Sequence, residues 1–137
     1  MTSKSSGFSL IELLVVVAIL GIISAIGVVS YSGYVSGAKR KSAENVMQQI
    51  SLGQTEYYSD MGIYYLNSSG TSCTPSATTS TQIETNLLGG SDNINDEMGY
   101  QLCIANHSSN YLSNANEIGG GCEIEMTALG VFTRRNC

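Results

Sequence analysis

The chain has 137 residues, enough for one domain of ordinary size, and joins 42% apolar to only 12% charged residues, too little charge for a disordered acidic or basic tail. Fifteen glycines against a single proline, Pro75, exclude collagen-like and proline-rich architectures. A formal net charge of −5 argues against a nucleic-acid module, which needs a basic face to displace counterions from phosphates.

A short polar leader carrying Lys4 precedes a long apolar run. Glu12 is the one acidic or basic side chain between Phe8 and Gly37, and Ser24 alone interrupts Leu13–Val29. A hydrocarbon core about 30 Å thick needs about 20 apolar residues at about 1.5 Å each, and Phe8–Val29 supplies 22. The rival reading is a cleaved secretory signal, for which Ala25 and Gly27 offer a small-residue cut site, but its apolar region is usually about 7 to 15 residues long. The length favours a membrane span. A carboxylate at position 12 costs about 2.5 to 3.5 kcal/mol on insertion scales without a partner, so Glu12 implies either a headgroup position helped by the helix dipole or a partner amine.

Lys39, Arg40 and Lys41 follow the span and either touch anionic headgroups or lie in a solvated turn. From Ala43 to Met61, Val46, Met47, Ile50, Tyr57, Tyr58 and Met61 recur at helical spacing and predict a buried face. One helix of roughly 80 Å from Phe8 to about Met61 follows. Asn67–Ser80 reads as a Ser/Thr/Gly-rich loop, and Thr81-x-x-Glu84 with Ile83, Leu87 and Leu88, stopped by Gly89, as a short capped helix. Ser91–Glu97 is rich in oxygen ligands but lacks EF-hand spacing, so no metal is expected. Four strands are predicted at Tyr100–Ala105, Asn110–Ser113, Cys122–Ala128 and Val131–Arg135, giving an α+β fold with an antiparallel sheet against the amphipathic half of the helix.

All four cysteines, Cys73, Cys103, Cys122 and Cys137, lie beyond the span, and an even number there suits disulfides in an oxidising compartment. No Cys-x-x-Cys pair supports zinc. A hairpin turning on Leu129-Gly130 would set Cys122 opposite Cys137 and leave Cys73 with Cys103. Four cysteines allow three pairings, and a bulge at Gly130 would shift the register. His107 is expected on a surface loop, since no nucleophile or carboxylate pattern surrounds it. Asn67-Ser68-Ser69 and Asn106-His107-Ser108 match the glycosylation sequon weakly, and Arg134-Arg135 reads as a solvated strand face rather than a DNA-touching edge. Neither an enzyme nor a cofactor is expected.

The segment Gly7-Phe8-Ser9-Leu10-Ile11-Glu12-Leu13, between the polar leader and the apolar run, resembles the class III signal of type IV pilins and related pseudopilins. The likeness is strong from Gly7 to about Tyr34 and weaker to Tyr65. It implies cleavage by a prepilin peptidase between Gly7 and Phe8, N-methylation of Phe8, and a Glu12 that neutralises the Phe8 amine of a neighbouring subunit. It also implies three regions: leader 1–7, span and filament core 8–34, and a periplasmic or extracellular domain 35–137 made of half-helix 35–61, connecting loop 62–98 and sheet 99–137. Val29 stands where the family often has proline, so residues 21–30, weakened by Gly21 and Gly27, are expected to lose helix in a filament. The implied role is a structural pilus subunit serving adhesion, motility or DNA uptake. Its partners would be other pilin subunits, the peptidase, an inner-membrane assembly platform and the inner membrane itself, which it would leave for an extracellular pilus. A type II secretion pseudopilin and a surface- or DNA-binding minor pilin are the alternatives.

Overall fold

The computed structural model describes residues 6–137; Lys4 and most of the predicted leader lie outside the described residues. The chain forms two compact units, one ending at Gly37 and the other running Ala38–Cys137. Helix α1, Leu10–Met61, contributes to both. It begins two residues later than the apolar run because Ser9 caps it, and ends where Gly62 takes a left-handed φ of 74° and donates its N–H to the Tyr58 carbonyl at 2.8 Å.

Within the second unit, Ala43, Val46, Met47 and Ile50 are buried on one stripe of α1, and the next turn buries Gln54 in the same row. The Gln54 amide is satisfied twice over by one residue: it donates to the Tyr65 carbonyl and accepts from the Tyr65 N–H, both at 2.8 Å. The expected burial of Tyr58 and Met61 is corrected. They are 48% and 64% exposed, because the chain after Gly62 folds back onto Gln54 and leaves the last helical turn outside the core.

Helix α2, Ala77–Leu87, starts four residues before the predicted Thr81. Ser76 is the cap: its hydroxyl accepts the Thr79 N–H at 3.2 Å while Thr79 Oγ1 accepts the Ser76 N–H at 2.9 Å. Glu84, released from the capping role predicted for it, is buried and accepts the Ile94 N–H at 2.5 Å, so it holds down the 91–97 loop.

The sheet is an antiparallel meander, β1 Tyr100–His107, β2 Asn110–Glu117, β3 Glu123–Thr127 and β4 Phe132–Arg135, in chain order. Its inner face carries Leu102, Ile104, Tyr111, Ala115, Ile124 and Met126, which share one core with α1 and Ile83 of α2. Strand β2 runs four residues past the predicted Ser113, since Ser113 and Ala115 hold buried inward positions that small side chains disguise in the sequence. The β3–β4 register is also corrected. Met126 faces Phe132 and Glu123 faces Arg135, one residue off a two-residue turn, because Gly130 at φ 82° closes a three-residue loop.

Candidate functional site: an exposed apolar helix with a capped carboxylate

Among the described residues, the first unit buries none of its apolar side chains. Phe8 is 89% exposed and Leu10 77%, and the most apolar 18-residue window of α1 has no buried residue. Two of its helical serines are internally satisfied, Ser24 donating to the Leu20 carbonyl at 2.6 Å and Ser32 to the Val29 carbonyl at 3.0 Å. Such back-bonding lets a polar side chain enter an apolar environment without an orphaned donor. An apolar surface of this length demands cover by lipid or by protein, since each fully buried Leu, Ile or Val contributes about 1.5 to 3 kcal/mol.

Glu12 sits in the first turn of this helix and closes a reciprocal cap. Its Oε2 accepts the Ser9 N–H at 2.8 Å, and Ser9 Oγ accepts the Glu12 N–H at 3.3 Å. The dipole-helped carboxylate read from the sequence is thus present in sharper form, and its signal, Ser-x-x-Glu before an apolar run, stands in the sequence at Ser9-Leu10-Ile11-Glu12. Oε1 takes no hydrogen bond within the described residues, which leaves a face of the carboxylate for an external cation. Residues 6–9 precede the helix without regular structure, and Gly7 and Phe8 are exposed there.

The remaining predicted residues belong to the second unit. Cys73 is joined to Cys103 and Cys122 to Cys137, with Cα–Cα distances of 6.2 and 4.5 Å. The one-residue register shift puts Asn136 in line with Cys122, and the left-handed Asn136 at φ 55° brings Cys137 back to it. His107 is exposed at the end of β1. Arg134 and Arg135 are committed to carboxylates, Arg134 to Glu44 at 2.5 Å and Arg135 to Glu125.

The outer edge of β1 is closed by side chains that sequence reasoning did not find. Asn67 Oδ1 accepts the Ile104 N–H at 2.8 Å and its own N–H donates to the Ile104 carbonyl at 2.9 Å. Ser80 Oγ accepts the Leu102 N–H at 3.0 Å while Thr79 Oγ1 donates to the Leu102 carbonyl at 2.7 Å. This edge therefore cannot recruit another strand. The Asn67 amide also donates to Gln82 Oε1 at 3.0 Å, so the first sequon serves the fold.

Residues 2–28 match the family model described as the prokaryotic N-terminal methylation motif, a stretch that includes Gly7, Phe8 and Glu12. No curated protein and no solved structure matches the chain.

Proposed function

We propose that this chain, a type IV pilin or pseudopilin by its N-terminal methylation motif, is the structural subunit of a type IV pilus. Its motif implies processing by prepilin peptidase and assembly with other pilins. The precursor would rest in the inner membrane through α1, be cut between Gly7 and Phe8 and be methylated on Phe8. It would then polymerise by exchanging lipid for the α1 helices of neighbouring subunits. The observation that carries this reading is the apolar length of α1 left wholly uncovered. Extraction then moves one apolar surface between two apolar surroundings, and no catalytic centre on this chain is required.

Glu12 would set the register of the filament. Its free oxygen would receive the Phe8 amine of the next subunit, at the cost of little local rearrangement because Oε2 stays on Ser9. Glu12→Ala is expected to leave cleavage intact and to abolish assembly, read by mass spectrometry of the processed chain and by electron microscopy of sheared surface material. Normal filaments from the variant would overturn the role. Immunolabel on wild-type material decides the class of filament. Label along thin surface filaments supports the pilus subunit, and label confined to the cell envelope supports the pseudopilin alternative instead.

A further inference from the structure

A groove of about 390 Å³ opens where the end of α1 meets the β1–β2 turn, walled by Tyr58, Ile63 and Tyr64 on one side and by Asn106, Ser109 and Asn110 on the other. Its size lies within the range of small-ligand sites, about 300 to 1,000 Å³. We infer that this groove is a binding site for a neutral saccharide, held by stacking on the tyrosines and by hydrogen bonds from the two asparagines and the serine.

The aromatic wall is ordered from behind. Tyr58 and Tyr64 lie ring to ring at 4.7 Å, and Tyr64 packs at 5.1 Å on Tyr111, whose hydroxyl donates to Ser51 Oγ at 3.1 Å. Tyr58 nevertheless remains 48% exposed. A sugar ring presents an apolar face of slightly positive C–H groups, which complements the negative face of an aromatic ring. The opposite wall supplies the other half of sugar recognition. The side chains of Asn106, Ser109 and Asn110 make no hydrogen bond among the described residues, although Asn67, Asn86 and Asn95 are all engaged. Two free carboxamides and a free hydroxyl offer donors and acceptors together, as sugar hydroxyls require. No side chain named in the groove carries a charge at neutral pH, which sets the ligand class as neutral.

A second observation comes from the backbone. Ser108 and Ser109 both hold left-handed conformations, φ 47° and 73°, in a two-residue turn that favours Asn-Gly. Serine there costs stability, and strain of this kind is kept where it positions a functional group. Here it places the Ser109 hydroxyl and Asn110 in the groove.

The test is saturation-transfer NMR on the full chain in a zwitterionic detergent free of sugar, with chitobiose, N-acetyllactosamine and cellobiose as probes and sialyllactose as the anionic control. At least one neutral disaccharide is expected to receive saturation on its ring protons. Tyr58→Ala and Asn110→Ala should each weaken binding about tenfold, Asn110→Ala without shifting the melting temperature and Tyr58→Ala with the modest drop that loss of its stack on Tyr64 brings. Ser109→Gly should raise the melting temperature and weaken binding together, whereas a turn serving the fold alone would show only the first. Absence of transfer to any neutral probe, transfer that survives both alanine variants, or a response to sialyllactose alone overturns the inference. So does self-association that the same substitutions abolish, which would give the groove to a second copy of the chain. Filament assembly does not enter any of these readouts.

Discussion

Glu44 gathers two cations on one nearly buried carboxylate, Lys41 Nζ at 3.1 Å and Arg134 Nε at 2.5 Å. The hydrogen bond from Arg134 does most to hold its carboxyl below the ordinary value of 4.5; burial works the other way, and Lys41 adds to the lowering. A carboxylate whose pKa is lower folded than unfolded adds stability that is complete above the unfolded value and is lost as pH falls through the folded one. Relative to Glu44→Gln, the wild type should therefore lose its advantage in melting temperature only on acidification below about pH 4.5. A constant difference between the two down to about pH 3 would mean the pair contributes nothing. Ser113 is the opposite case. Its hydroxyl is fully buried between Ile104 and Met126 on the neighbouring strands and has no partner among the described residues. Removing an unsatisfied buried hydroxyl recovers its desolvation cost. Ser113→Ala should raise stability by about 1 kcal/mol, or about 4 to 8 °C in melting temperature for a unit of this size; a lower melting temperature would show that the hydroxyl is partnered.

Between elements, α1 meets α2 closely at Gly53, where an added Cβ would stand 2.6 Å from the Leu87 carbonyl oxygen. Alanine gains about 1 kcal/mol over glycine in helix propensity, but the atom it meets is backbone and cannot swing aside. The clash decides the sign. Gly53→Ala is expected to lower the urea-unfolding free energy by about 1 to 3 kcal/mol, and an unchanged or higher midpoint would mean that α2 shifts freely. This contact also marks where sequence reading ends. Helix α1 was legible because its apolar run and its Ala43–Ile50 stripe are local and long, and the four strands because each has its own alternation or turn. Gly7, Phe8 and Glu12 were legible as one contiguous motif. The start of α2 was not, since a threonine closes its capping box where Glu or Gln is the usual signal. Gln54 and Asn67 were hidden for a different reason: their partners lie 11 and 37 positions away, and the sequence around a polar residue does not say which distant backbone group it will satisfy. The groove walled by Tyr58 and Asn110 exists only once the second unit has folded, and Tyr58 reads from the sequence as core.

At the scale of the whole chain, the two units differ in what stabilises them. Among the described residues, every buried apolar side chain lies at Ala43 or beyond, and so do both disulfides. The first unit buries no side chain among the described residues, and its order in water would rest on helix propensity, weakened by Gly21, Gly27 and Gly33 at about 0.8 to 1 kcal/mol each. A fragment covering Ala38–Cys137 should therefore fold as a soluble monomer and unfold in one cooperative step, while the full chain without detergent aggregates through α1. The disulfides close loops of 30 and 15 residues in sequence separation, for which chain entropy gives about 4 and about 3 kcal/mol. The bond from Cys122 to Cys137 also anchors β4, a four-residue edge strand whose helix contact is the Arg134–Glu44 pair. Cys122→Ser with Cys137→Ser should consequently lower the fragment's stability by about 3 kcal/mol and raise amide hydrogen exchange in β4 before β1 and β2. Uniform acceleration across the sheet would show instead that the bond stabilises the unit only as a whole, and a fragment that fails to fold with both disulfides intact would show that the core beyond Ala43 depends on the apolar half of α1.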